Sequence, residues 1–155
     1  MAGSSGWTRV MLASSGVALG EDPEPYRGGR EWLEAQDPDT HFDRLAQLTA
    51  HPDVQVRIAV ARRPRLQMGL LITLGHDLDP QVRTAVAGSP RVNRVVVEHL
   101  LADRDWRVVR ALAHNEATPL DVVQVLASHR HEPVRRAAAR RLRAHAVPAV
   151  VEPRA

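Results

Sequence analysis

A period of 26 residues constrains this chain more than any other feature of its sequence. The segment from Asp79 to Pro90 contains Val-Arg-Thr-Ala-Val-Ala, and nearly the same six residues begin 26 positions earlier, at Val56. Weaker copies begin at Val108 and Val134. A fixed period of this size is typical of stacked units of secondary structure, none of which buries its apolar face alone. The sequence therefore predicts an all-α architecture of about four units.

Each unit is predicted to hold two short helices. In the second helix an Asp, such as Asp53 or Asp79, takes the N-cap position and can accept the first free N–H groups. A proline ends this helix after about three turns in the first two units. Glu116 and Leu142 replace that proline later, so the third and fourth of these helices are expected to run further, the last one to Ala146. The first helices present buried pairs spaced by three residues: Leu45 and Leu48, Leu71 and Leu74, Val97 and Leu100, Val123 and Leu126.

The recurring series Asp-x-x-Val-Arg-x-Ala-Val-Ala-x-x-Pro, followed by a leucine pair, resembles the leucine-rich repeat variant family, a relative of HEAT repeats. The resemblance covers about residues 42–142. It implies a right-handed α-solenoid in which each 26-residue repeat holds a short helix, α or 3₁₀, and an α-helix. A founding member carries an iron–sulfur cluster on cysteines, but this chain has no cysteine. No cofactor is therefore expected.

Composition divides the chain into three predicted parts. Residues 1–41 form an acidic, flexible segment with a short capping helix from Arg30 to Gln36, residues 42–146 hold the repeats, and residues 147–155 form a disordered tail. Residues 1–43 carry a net charge of −5 and residues 130–155 a net charge of +5. This asymmetry indicates charged partners. No apolar run approaches the length of a membrane helix, and the lack of cysteine is compatible with the cytoplasm, where we expect the protein.

Arginines recur at one position of the predicted second helix, as Arg57, Arg83 and Arg135. Asp53 and Asp79 lie four residues before the first two arginines, within pairing distance on a helix. A ladder of arginines can follow a phosphate backbone. We favour a structural ladder in which these pairs lock the turn between helices.

A second stripe follows the solvent side of the second helices. It reads Gln55, Ile58 and Arg62 in the first unit, then Gln81, Thr84 and Gly88, then Arg107, Arg110 and His114, then Arg136, Arg140 and Arg143. The last two units are strongly cationic. Because such helices commonly line the concave surface of a solenoid, the five late arginines are the candidate partner-binding residues. The alternative is an ordinary solvated face.

Other residues carry weaker signals. His129, His131 and Glu132 lack a third ligand set in register, so no metal site is predicted. Trp106 either packs over the following turn or anchors a partner. Asp105 with Trp106 is the nearest approach to the acid and aromatic pair of HEAT-like DNA glycosylases.

The sequence supports three functions to different degrees. The first is a non-catalytic protein–protein interaction scaffold, whose unidentified partner is acidic if the arginine stripe binds it. The alternative is a nucleic-acid-binding solenoid that uses the same arginines, and the third is a HEAT-like glycosylase. No catalytic site is assembled in the sequence, so we expect no enzyme.

Overall fold

The computed structural model describes residues 29–146, and this part of the chain is helical outside its turns. Its helices are α1 (Arg30–Gln36), α2 (Phe42–Leu48), α3 (Val54–Ala61), α4 (Met68–Gly75), α5 (Pro80–Ala87), α6 (Arg94–Leu101), α7 (Trp106–His114), α8 (Leu120–Leu126) and α9 (Glu132–Ala146). The predicted all-α class is confirmed for these residues. Most of the predicted flexible N-terminal segment, residues 1–28, and the predicted tail, residues 147–155, lie outside the described residues.

Five helices form a row in which each packs against the next: α1, α3, α5, α7 and α9. We call them the row helices. The other four helices, α2, α4, α6 and α8, pack against the row helices that precede and follow them in the chain. Ala61, Ala87 and Ala113 are fully buried, because their methyl groups allow neighbouring row helices to approach closely. The helix predicted to begin at Arg30 has the predicted bounds and packs against α3 as the first row helix.

Apolar side chains spaced by 26 residues form the core. The columns with at most 3% exposure are Leu45, Leu71, Val97 and Val123; Leu48, Leu74, Leu100 and Leu126; Val56, Val82, Val108 and Val134; and Val60, Val86, Leu112 and Ala138. Burial of each large side chain contributes about 1.5–3 kcal/mol. Ile58, which the sequence pattern placed on the solvent side, is instead buried because α1 and α5 flank α3.

The predicted N-caps are confirmed. The carboxylates of Asp53, Asp79 and Asp105 accept the N–H groups of the second residue of α3, α5 and α7, at 2.7–2.8 Å. The resemblance implies that first helices are partly 3₁₀, but within residues 29–146 these helices are α-helical. Bonds of the 3₁₀ type occur at helix ends, as between the N–H of His51 and the carbonyl of Leu48.

The two late row helices end differently. α9 reaches Ala146, as predicted, but α7 stops at His114. The reason is Asn115, which leaves the helical conformation and donates its side-chain amide to the carbonyls of Ala87 and Ser89. A helix that continued past Asn115 would lose this contact with the end of α5.

Thr118 is expected to destabilise the fold. It occupies the position that Leu66 and Val92 take 52 and 26 residues earlier. It is 1% exposed, and its hydroxyl has no hydrogen-bond partner among residues 29–146. Because valine has the same shape without the hydroxyl, Thr118→Val should raise the free energy of unfolding by about 1 kcal/mol in urea denaturation. The control is Thr49→Val, since the Thr49 hydroxyl donates to Ala46 at 2.6 Å. A gain at Thr49 equal to that at Thr118 would contradict the explanation.

Candidate interaction surface on the row helices

Two arginines join successive turns in the same way. Arg57 binds both carboxylate oxygens of Asp77, at 2.7 and 3.1 Å, and donates to two carbonyls in the turn before α3. Arg83 does the same with Asp103, at 2.7 and 3.0 Å, and with the turn before α5. All four side chains are at most 17% exposed. Bidentate pairs with so little contact with water are strong and geometrically specific, and each carboxylate raises the pKa of its arginine.

The bound carboxylate is not the one that the sequence pattern predicted. Asp53 and Asp79, four residues before the arginines, cap α3 and α5 by accepting backbone N–H groups. The bidentate partner instead lies 20 residues after each arginine. Only the packing of one row helix on the next brings that residue within reach. Arg57 and Arg83 therefore each connect one row helix to the turn before the next row helix, whereas the prediction placed each pair within one helix.

The third junction lacks both charges. Val109 takes the position of the arginine and is fully buried, and His129 takes the position of the aspartate. The Nδ1 atom of His129 accepts a hydrogen bond from the N–H of His131 at 3.2 Å. The side chain at this position therefore still accepts a backbone N–H group of the turn, as an aspartate would. Burial lowers the pKa of His129. Arg135 still donates to two turn carbonyls at 2.9 Å but forms no carboxylate pair within residues 29–146.

A second set of polar contacts, which the sequence pattern did not reveal, points back along the row. Arg63, Asn115 and Arg141 donate to carbonyls that follow the preceding row helix or lie in its last turn, and so satisfy groups that helix ends leave unpaired. The pairs are Arg63 with Ala35, Asp37 and Pro38; Asn115 with Ala87 and Ser89; and Arg141 with Asn115, Glu116 and Thr118. The three donor residues are spaced by multiples of 26, and this spacing was the signal in the sequence. It is hard to see because Arg and Asn differ chemically.

Three hollows that share walls form one groove across α3, α5, α7 and α9, which we call the groove. The first, of about 470 Å³, lies along α3, α5 and α7, and the second, of about 330 Å³, lies between α5 and α7. The third, of about 690 Å³, lies between the end of α7 and α9. Arg110 lines the first two hollows and His114 the second and third. Gly88 forms part of the floor, where the lack of a side chain keeps the groove open.

The structure brings only some of the predicted binding residues together. Three of the five arginines line the groove: Arg107, Arg110 and Arg140. Arg136 pairs with Glu132 at 2.6 Å on an exposed surface, and Arg143 is exposed but lines none of the three hollows. The sequence stripe mixes these two groups because helical spacing alone does not show which side of α9 faces α7.

Most of the groove arginines have no acidic partner within the described residues. Among residues 29–146, no acidic side chain forms an ion pair with Arg62, Arg110 or Arg140. Arg107 lies 3.6 Å from Asp105 and is itself exposed. The groove is therefore a concave surface with an excess of positive charge, since the acidic residue in its lining is Glu116.

Trp106 is not an open platform for a ligand. Its ring lies 6.2 Å from the ring of His131, and the guanidinium carbons of Arg107 and Arg110 lie 5.8 and 5.2 Å from its centroid. These contacts support the packing alternative that the sequence left open. Through cation–π attraction Trp106 also restrains the two arginines at the edge of the groove.

The histidine cluster is packed ring against ring. His129 and His131 stack with centroids 5.6 Å apart. Within residues 29–146 no three His, Asp or Glu side chains are grouped so that they could hold a metal ion.

In the same part of the chain, no helix has both the length and the apolar character needed to cross a membrane.

Acid should weaken the junctions between units. Burial raises the pKa of Asp103, but hydrogen bonds from Arg83 and from the N–H of Asp105 outweigh it, so the pKa is lowered. A lowered pKa adds stability that is present above the unfolded value, about 3.9, and lost as pH falls toward the folded value. Asp103→Asn keeps an acceptor but removes the charge. It should cost about 1–3 kcal/mol at pH 7, and less near pH 3, in urea denaturation.

The matched control for this substitution is Asp121→Asn. Asp121 also pairs with an arginine, Arg94 at 3.0 Å, but both side chains are about 60% exposed. Water screens such a pair, so the free energy of unfolding should hardly change. Equal losses for the two variants would contradict a structural role for the Asp103 junction.

Comparisons with known proteins assign no function to this surface. No protein-family model, no curated protein and no solved structure matches the chain. The function is therefore inferred from the side chains of the groove and from their charges.

Proposed function

We propose that the chain is an α-solenoid of four 26-residue repeats of the leucine-rich repeat variant type, and that it acts as a non-catalytic protein interaction module in the cytoplasm. Contacts that recur at multiples of 26 residues support the solenoid. Arg57, Arg83 and Arg135 bind equivalent turn carbonyls, and Arg63 and Arg141 bind the chain near the end of the preceding row helix. The partner binds in the groove.

The single observation that carries the functional proposal is the cluster of unpaired arginines in the groove. Arg62 follows the last residue of α3, whereas Arg110 and Arg140 lie on α7 and α9, and none of the three forms an ion pair in the part of the chain that the structure describes. A concave cationic surface attracts an anionic partner and orients it before contact.

The partner proposed is an acidic protein segment in an extended conformation. Packed helices lie about 8–10 Å apart, and a polyproline II segment rises about 3.1 Å per residue with about three residues per turn. Carboxylates at every third residue of such a segment therefore lie on one face, about 9 Å apart, and would meet one row helix after another. The apolar floor residues Ile58, Ala85 and Pro90 lie beside the arginines and suit the residues between the carboxylates.

A nucleic acid is the second candidate because the free charges also suit phosphates. Single strands, however, bind largely by stacking bases on aromatic rings. No Phe, Tyr or Trp lines the three hollows of the groove, whose aromatic rings are the imidazoles of His114 and His145, and Trp32 lines an adjoining hollow beyond Arg62. The glycosylase alternative needs an available acid and aromatic residue. Asp105 accepts the N–H of Arg107 and Trp106 is packed against His131, so both already have structural roles.

The groove predicts a selective loss of binding. We expect a fluorescent peptide of about twelve residues, with Asp at every third position, to bind at 50 mM salt, because its four Asp residues span about 28 Å, the distance across four packed helices. The triple substitution Arg62→Gln, Arg110→Gln and Arg140→Gln should weaken binding about tenfold or more in fluorescence anisotropy, since exposed pairs contribute up to about 1 kcal/mol each. Binding should also weaken as salt increases.

The matched control changes the same number of charges elsewhere. Arg65, Arg91 and Arg104 are exposed, form no ion pair within residues 29–146 and do not line the groove. Substituting these three with Gln should leave peptide binding within twofold. An equal loss in both triple variants would reduce the interaction to general charge attraction. Tighter binding of a single-stranded oligonucleotide, lost in the groove variant alone, would favour the nucleic-acid candidate.

A further inference from the structure

Three basic side chains converge where the groove passes from α7 to α9. His114 is the last residue of α7, and Arg110 lies one turn before it on the same helix. Arg140, from α9, lines the same hollow as His114. The charges of both arginines act on the His114 ring. Two helices thus bring their basic groups to one point of the groove.

The other groups around His114 do not neutralise this charge. α5 contributes Thr84 and Gly88, which are uncharged. α9 also contributes His145 and Arg141, and the Arg141 guanidinium is committed to three backbone carbonyls. Arg107, on α7, lines the second hollow together with His114 and adds positive charge. Glu116 is the acidic residue lining the third hollow; it forms no ion pair within residues 29–146, and its charge is not among those that act on the His114 ring.

We propose that His114, Arg110 and Arg140 form a subsite that binds one carboxylate of the acidic partner and takes up a proton as it does so. This inference rests on the proposed function, since the carboxylate belongs to the segment that occupies the groove. It adds a regulation that the arginines alone do not supply. The groove binds its partner more tightly as the pH falls.

The direction of the pH effect follows from the free protein. Partial desolvation of the ring by the walls of the hollow, and then the charges of Arg110 and Arg140, lower the pKa of His114, so the ring is neutral near pH 7 although much of the residue is exposed. A bound carboxylate offsets the two positive charges and favours the protonated ring, which raises this pKa. The extra affinity is fully present below the pKa of the free ring and is lost as the pH rises through that of the bound ring. Aspartates of the partner stay ionised above about pH 5.

The test uses the full chain and the Asp peptide described above. Lowering the pH from 7.5 to 5.5 should strengthen peptide binding about fivefold, the size of one additional exposed ion pair. His114→Gln should bind like the unmodified protein at pH 7.5 and lose most of the gain at pH 5.5. His145→Gln, which changes the other histidine lining the hollow, should keep the gain.

A second measurement reads the proton directly. The NMR titration of the His114 ring should shift to higher pH when the peptide is added. The ring resonances of His76, which lines none of the three hollows, should not change on addition of the peptide at constant pH. Circular dichroism verifies that the variants fold. Because His114 is exposed, its substitution should not disturb the core.

The outcomes separate the two proposals. If the peptide binds at neither pH 7.5 nor pH 5.5, the proposed function is wrong. If it binds, but the gain at low pH is absent or survives in His114→Gln, the proton-linked subsite is wrong and the groove proposal stands. If the gain disappears in His145→Gln and not in His114→Gln, His145 takes up the proton, and the assignment to His114 is overturned.

Discussion

The contact between neighbouring row helices is the interaction on which the rest of the structure depends. Most helices here have seven to nine residues, and helices this short are not stable alone in water. Their stability comes from burial of columns of valine, leucine and alanine between the row helices and the helices that connect them. Alanines such as Ala61 and Ala87 matter because a larger side chain would push two row helices apart.

Polar contacts then define how one unit sits on the next. Arg57 and Arg83 reach forward to a carboxylate of the following turn, and Arg63 and Arg141 reach back to carbonyls at the end of the preceding row helix. Apolar packing alone tolerates sliding, whereas bidentate pairs have one good geometry. At the third junction Val109 and His129 replace both charges, so that neither a buried arginine nor a buried aspartate is left without its partner.

The groove is a consequence of this arrangement. Because the same face of each row helix is turned outward, one residue position is presented four times in succession, by Arg62, Gly88, His114 and Arg140. Gly88 leaves space where its equivalents extend. The arginines that hold units together are paired and mostly buried, while those of the groove are not paired within the described residues. This difference separates structural arginines from candidate binding arginines of the same chemical type.

The sequence by itself determined the all-α class, the apolar columns and the Asp N-caps, because these depend on residues a few positions apart on one helix. It also placed Arg107, Arg110 and Arg140 on a common stripe. Only the tertiary structure decided that Arg57 pairs with Asp77, that Arg63, Asn115 and Arg141 bind the preceding unit, and that Arg136 lies with Glu132 outside the groove. Those partners are separated by 20 or more residues, or depend on which side of a helix faces its neighbour. Local periodicity carries no information about either, since both are set by how closely and at what angle the row helices pack.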